Sequence, residues 1–317
     1  MLLSWIILCF FFSIALLEKC VKETNRDAKQ FMAKNKDQLK EKSRVLKWVD
    51  TNLMEIKAFV AVIINMGLNR KSTIDSYWIT KKKSQCTPWF NHVFPYDRFF
   101  LLLKFFHLVN NDTLAKPGQP GYDPVAKFKP LVEHANRLFR HHYTPKQELS
   151  VDESLIGTKN KTQILQYLPN KHHHKWGIKL WMICEAVTGY VLGFTVYKGK
   201  RDNQEGDDRG VGQKVVTSIL TIGNYLNKGY HVFLDNFFSS IELAKELFDN
   251  GTYMTGTIRR NRKGVPAGIK GKLQPGQTTY FRRENLSMAY REKKTQQKPV
   301  LLLTTKFRAE QVDVEVR

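Results

Sequence analysis

The stretch that decides the fold is LSVDESLIGTKNKTQILQYLPNKHHHKWGIK, Leu149 to Lys179. Its first part alternates apolar and polar residues, which is the period of a strand with one covered face. Asp152 and Glu153 stand inside that alternation. A carboxylate in a buried strand costs several kcal/mol unless a partner or a metal ion neutralises it, so the expectation is that Asp152 is buried and paired. Glu153, one residue on, points to the other face of a regular strand and is not expected to share its ion.

Outward from there the chain reads as an α/β unit. Lys175–Val187 and Tyr190–Tyr197 are expected strands joined at Thr188-Gly189, a hairpin signal. The charged run from Lys198 to Gly210 reads as a solvated loop. A helix should follow with the apolar stripe Val211, Val215, Ile219, Ile222 and Leu226, stopping by Gly229. Tyr230–Leu234 is a short strand with Asp235 at its end. Ser239-Ser240-Ile241-Glu242 has capping-box spacing, so a helix should start there and stop at Asn250-Gly251. Strands resume at Tyr253–Ile258. Three strands, helix, strand, helix is the element order of an RNase H-like core.

Upstream of residue 148 the pattern is helical. The segment 51–67 has Thr51 or Asn52 as cap and Ile56, Phe59, Val60, Ile63 and Ile64 on one face. A short helix is expected to start between Ser72 and Trp78. Pro95–Val109 and Val132–Tyr143 are further helices, and the loop between them is rich in Pro, Gly, Asn and Asp.

The chain has 317 residues, of which 42% are hydrophobic and 12% aromatic, enough for a packed core. It carries 51 Lys and Arg against 29 Asp and Glu, a net charge of +22. Such an excess attracts polyanions, with nucleic acid the leading candidate and an acidic membrane surface or ribosomal RNA the alternative. Cys9, Cys20, Cys86 and Cys184 form no CxxC pair, which gives no zinc knuckle or disulfide framework and fits an intracellular protein. The run MLLSWIILCFFFSIALL at residues 1–17 reads by composition alone as a membrane or signal segment, although a basic leader and a cleavage site are missing.

Asp152 and Asp235 lie where an α/β sheet presents ligands. Side by side, two carboxylates repel unless a divalent cation sits with them, and an all-oxygen site suits Mg²⁺. An aspartate at a strand–helix junction is equally a common capping residue. His172, His173 and His174 are consecutive, cannot converge on one ion, and read as basic surface rather than zinc ligands. GTIRRNRKGVPAGIKGK, residues 256–272, has no acid; Arg259, Arg260, Arg262 and Lys263 could meet phosphates or line a solvated loop. Lys159, Lys161, Lys171, Lys175 and Lys179 add positive charge around the Asp152 strand, where Tyr167 and Trp176 could stack on bases or belong to the core.

The strings ETNRDAKQ, MEIKAFVAVIINMGLNRKSTIDSYW, FHLVNND, LSVDESLIGTKNK, NKHHHKWGIKLWMIC, GKRDNQEGDDRG, VFLDNFF and GTIRRNRKGVP occur in this order. Together they resemble the piggyBac-type transposases and the domesticated, transposable element-derived proteins descended from them, from about Phe12 onward. The resemblance implies cut-and-paste DNA transposition by metal-dependent phosphoryl transfer. It places the first two catalytic, Mg²⁺-binding aspartates on Asp152 and Asp235. It implies double-stranded DNA as partner, a homodimer, a nuclear location and no small-molecule cofactor. The expected organisation is an apolar start or helix at 1–17, a helical dimerisation and DNA-binding region at 18–147, an RNase H-like core at 148–252, and the start of a basic, β-rich insertion at 253–317.

Two departures shape the expected function. The family's third catalytic aspartate lies in a GGVDxxDQ-like motif that this sequence does not contain, and its cysteine-rich C-terminal zinc module is also missing. The expectation is a C-terminally truncated, DNA-binding derivative without transposition activity, DNA being held by Lys159, Lys175, Arg259, Arg260, Arg262 and Lys263. The alternatives are an active transposase completed in trans or in a longer isoform, and a membrane-associated or non-functional fragment. Residues 1–11 do not match the family, but Phe12, Ile14, Leu16 and Leu17 then belong to a packed helix, which reverses the composition-based reading of the N-terminus.

Overall fold

Ser13 accepts a hydrogen bond from Leu16 N at 3.3 Å and so starts helix α1, Ile14–Lys34. The computed structural model describes residues 11–169, 175–199, 209–271, 273–282, 286–290 (backbone only) and 298–307. His172–His174, Lys171, most of the 198–210 loop and residues 1–10 are outside the described residues. The chain divides into two units, residues 1–134 and 135–317. Leu16, Leu17 and Cys20 are buried and Phe12 packs against the same core, while Ile14 is 58% exposed. Among the described residues no helix is long and apolar enough to cross a membrane.

The first unit is helical. Besides α1 it contains α2 (Leu53–Leu68), α3 (Pro88–Val93) and α4 (Tyr96–Phe105), and α5 (Lys129–His142) crosses the boundary between the units. Asn52 caps α2, accepting from Glu55 N at 3.0 Å. Its core is aromatic: Phe59, Phe90, Phe94, Phe99 and Trp78 pack with Ile56 and Val62. The indole N–H of Trp78 donates to the Phe94 carbonyl at 2.8 Å, which satisfies the polar end of a buried ring. The apolar face expected for α2 is corrected in part. Ile56 and Phe59 are buried, but Ile63 and Ile64 are 41% and 40% exposed and Val62 is inside. A helix apolar on more than one side does not declare which side is covered. Ser72–Trp78 forms a 3₁₀ turn at Asp75–Trp78 rather than a helix start.

The second unit is built on a mixed sheet. Its strands are β1 (Glu148–Gly157), β2 (Leu165–Tyr167), β3 (Trp176–Glu185), β4 (Val191–Val196), β5 (His231–Leu234), β6 (Tyr253–Thr257), β7 (Thr278–Arg282), β8 (Leu286–Tyr290) and β9 (Val300–Thr304). The spatial order is β2-β3-β1-β5-β6-β9-β8-β7, with β4 also paired to β3. β1, β5 and β6 run parallel, and the remaining pairs are antiparallel. Helices α6 (Val211–Gly223) and α7 (Ile241–Asp249) supply the crossovers that parallel strands require. Leu149, Val151, Ile183, Leu192, Val232, Leu234 and Met254 from the sheet pack with Val216, Ile219, Leu220, Leu243 and Leu247 from these helices.

Ser240 caps α7, with Leu243 N donating to its Oγ at 3.0 Å. α6 stops earlier than expected, at Asn224 in the left-handed region (φ 57°). Its buried positions are Val216, Ile219 and Leu220, whereas Val211 and Ile222 are exposed. The covered stripe is therefore turned from the expected one. The β3–β4 connection runs from residue 186 to 190 and turns at Gly189 (φ 73°), as the Thr188-Gly189 signal suggested. Glu185 is fully buried there and accepts from Thr188 N at 2.7 Å and from the Thr188 hydroxyl. The Thr188 hydroxyl, then its N–H, hold the Glu185 carboxyl below the usual range.

Candidate metal centre and nucleic-acid interface

Register brings the two aspartates together. Val151 of β1 pairs with Leu234 of β5, so the residues that follow, Asp152 and Asp235, stand on adjacent parallel strands about 5 Å apart in backbone spacing. Both carboxylates are exposed. This corrects the expectation of a buried Asp152: the strand reaches beyond the helix-covered core after Val151, and the side chain is open to water. Glu153 N donates to Asp152 Oδ1 at 2.7 Å. The Thr257 hydroxyl, from β6, donates to Asp235 Oδ1 at 3.2 Å. The Asp235 carbonyl accepts from Phe238 N, Ser239 N and the Ser239 hydroxyl, which fixes the strand-to-helix turn.

Cys184 lies diagonally across β3, where Ser150 pairs with Cys184 and Asp152 with Met182. Burial and then the Asp152 charge push its thiol up. The groups seen at the acid pair itself are oxygens: the two carboxylates and the Thr257 hydroxyl. Carboxylate oxygens with a hydroxyl beside them fit Mg²⁺ rather than a thiolate-seeking metal.

The basic run folds against the Asp235 turn. Arg259 Nε donates to Asn236 Oδ1 at 2.9 Å, and Arg262 Nη2 donates to the Phe237 carbonyl at 2.6 Å. Arg260 donates to the Lys270 carbonyl. Each guanidinium has five N–H donors, so these contacts orient the cations without exhausting them. Lys263 is exposed. Arg209, Arg259, Arg262 and Lys263, with Glu242 as the one acid, line a cavity of about 610 Å³ where α6 and α7 begin. Arg209 is paired with Glu246 at 3.2 Å, and Arg259, Arg262 and Lys263 against Glu242 still leave the cavity positive beside the acid pair. Lys179 Nζ lies 3.8 Å from the ring centre of Trp181 and 5.4 Å from that of Phe237, a further cation at the same turn.

Lys159 and Lys175 are exposed on the β1–β3 arm, away from the cavity. Tyr167 and Trp176 are also exposed, at 49% and 53%, and so are not core residues. Thr257, Cys184 and Arg209 were missed by sequence reasoning. The alternation in Tyr253–Ile258 next to the Asp235 strand is the one signal that could have found Thr257.

The sheet is RNase H-like and sets two carboxylates on adjacent parallel strands, Asp152 within β1 and Asp235 just past β5. The chain belongs to the piggyBac-type transposases within the family described as Transposase IS4, whose family model matches residues 7–317. The human PiggyBac transposable element-derived protein 3 is 29% identical over 170 residues, covering 52% of this chain and 27% of that protein. The human PiggyBac transposable element-derived protein 2 is 25% identical over 263 residues, covering 80% and 39%. A cryo-EM structure of the piggyBac transposase synaptic complex with hairpin DNA matches with a TM-score of 0.78 at 23% identity, covering 97% of this chain and 62% of that one. The chain thus spans between about a quarter and three-fifths of the length of these relatives.

Proposed function

We propose that this chain binds double-stranded DNA through its basic second unit and presents the scissile phosphate region to the Asp152–Asp235 pair. The observation that carries the reading is the placement of these two acids side by side, with the arginine-lined cavity of the 259–263 turn next to them. A transposase relative caught with DNA supports the choice of polyanion.

Mg²⁺ is the proposed ion, held by Asp152 and Asp235. When bound, such an ion activates a nucleophilic oxygen and neutralises charge on the phosphate. The chain's own contribution is to orient both carboxylates, through Glu153 N and the Thr257 hydroxyl. Two carboxylates bind Mg²⁺ weakly, and phosphoryl transfer asks for more anionic oxygens. Strand cutting would therefore draw on a further acid, from a second copy or from sequence outside these 317 residues, and the 317 residues alone are proposed to bind without cutting. The proposed assembly is a homodimer and the proposed place of action the nucleus.

The deciding experiment pairs two readouts on the purified chain. Duplex binding is followed in a salt titration, and strand nicking is followed with and without Mg²⁺. Binding that weakens steeply with salt, with uncut DNA, is the expected result. Mg²⁺-dependent nicking abolished by Asp152→Ala would show a complete enzyme instead. No duplex binding at low salt would remove the function altogether.

A further inference from the structure

We propose that Tyr167 and Trp176 form a stacking platform for an unpaired DNA base, a site separate from the acid pair and its arginine-lined cavity. It rests on the reading that the chain binds DNA. Tyr167 of β2 is the register partner of Trp176 of β3. Their ring centres are 4.8 Å apart at 45°, and about half of each residue faces solvent. Mutual packing of a cross-strand pair explains the contact. It does not explain two large rings left open to water, beside an Ile156 that is itself 54% exposed.

The surroundings fit a nucleic acid strand. From Ser154 to Cys184 the sequence contains no acid, and Lys159, Lys161 and Lys175 are exposed around the rings. The backbone beneath is fixed: Thr158 N donates to the Trp176 carbonyl at 3.2 Å and Leu168 N to the Lys175 carbonyl at 2.7 Å. A Cβ on Gly177 would come within 2.3 Å of the Ile156 carbonyl oxygen, so the two strands close tightly under the platform. A stiff aromatic surface with lysines at its margin is the recurring way to hold a base face and its phosphates together.

The platform also lies on the line of the acid pair. Asp152 pairs with Met182, and Trp176 is six residues along the same strand, or about 20 Å. That is about six nucleotides along one DNA strand at 3.4 Å each. In an intact duplex both faces of an interior base are covered by neighbours. The ligand class is therefore an unpaired or terminal base within a few nucleotides of the phosphate at Asp152 and Asp235.

The test uses the complete chain and two labelled probes: a blunt duplex, and the same duplex with a short single-stranded extension. The expected result is tighter binding of the extended probe by about tenfold or more, within the ~5–150-fold that one stacked base is worth. Trp176→Ala and, on the other strand, Tyr167→Ala should each bring the extended probe towards the blunt one. Trp176→Phe, which keeps a ring, should retain most of the preference. Lys263→Ala, at the separate arginine-lined cavity, should weaken both probes alike. Equal binding of both probes by the wild type, or an undiminished preference in a folded Trp176→Ala or Tyr167→Ala protein, overturns the platform while leaving duplex binding intact. Failure of the wild type to bind even the blunt duplex at low salt overturns the DNA reading, and the platform with it.

Discussion

Asp152 and Asp235 carry two like charges on neighbouring strands, with the Glu153 N–H beside the first and the Thr257 hydroxyl beside the second. A cation that relieves this repulsion binds the folded state and not the unfolded one, so it raises stability by RT ln(1 + [L]/Kd). At tenfold excess over Kd that is about 1.4 kcal/mol. Thermal unfolding of the wild type should shift upward with millimolar Mg²⁺, and Asp152→Asn or Asp235→Asn should lose most of that shift; equal shifts in all three proteins would exclude the pair as the ion's site. Gly256 tests the scaffold beneath. A Cβ there would meet the Leu234 carbonyl and Ser239 Oγ at 2.5 Å, beside the Asp235 turn. Gly256→Ala should cost about 1–3 kcal/mol in urea unfolding and also blunt the Mg²⁺ response. The two aspartates were legible because their motifs are local in sequence. Thr257 and Cys184 were not, because what places them is pairing between strands, and pairing register is not written in a single strand's alternation.

At the scale of elements, β5, β6 and β9 are tied by a polar ladder that apolar patterning does not reveal. His231 Nε2 lies 2.8 Å from Thr255 Oγ1, which lies 2.6 Å from Thr304 Oγ1. His231 is fully buried with its Nδ1 unpartnered, and burial, then the Lys306 charge, pushes its pKa down from 6.5 to about 4. The sign follows directly. Above pH 6.5 the imidazole is neutral in both states and stability is complete. As the pH falls from 6.5 towards about 4, the unfolded chain takes a proton that the fold refuses, and stability drops by about 3 kcal/mol at most. Unfolding midpoints measured across this window should therefore be flatter for His231→Gln than for the wild type. An unchanged slope would show that other groups govern the acid side. The helices show the complementary limit of sequence reading. Caps at Asn52 and Ser240 are chemical signals and helix starts followed from them, whereas the Ser13 cap of α1 was not read from the sequence. The covered faces of α2 and α6 were read partly wrong, since Ile64 and Ile222 are as apolar as the residues actually buried.

At the scale of the whole molecule, the change from a helical first unit to a sheet-based second one was visible where 3.6-residue periodicity gives way to alternation at Glu148. The net charge of +22 was equally plain, but its distribution was not. Among the exposed cations of the second unit are Lys159, Lys161 and Lys175 on the β1–β3 arm and Arg259 and Lys263 on the 259–263 turn. If these five side chains each neutralise one phosphate, log Kobs should fall against log salt with a slope of about −4.5. Between 50 and 200 mM salt that is a loss of about 500-fold in affinity. The arms of the prediction separate by mutation. Lys263→Ala and Lys159→Ala should each make the slope shallower by about one unit and, combined, by about two, because the two sites contact different phosphates and their effects add. A double variant no shallower than either single one would place both lysines on one phosphate or outside the DNA path. A wild-type slope near zero would mean that the excess charge serves some partner other than a nucleic acid backbone.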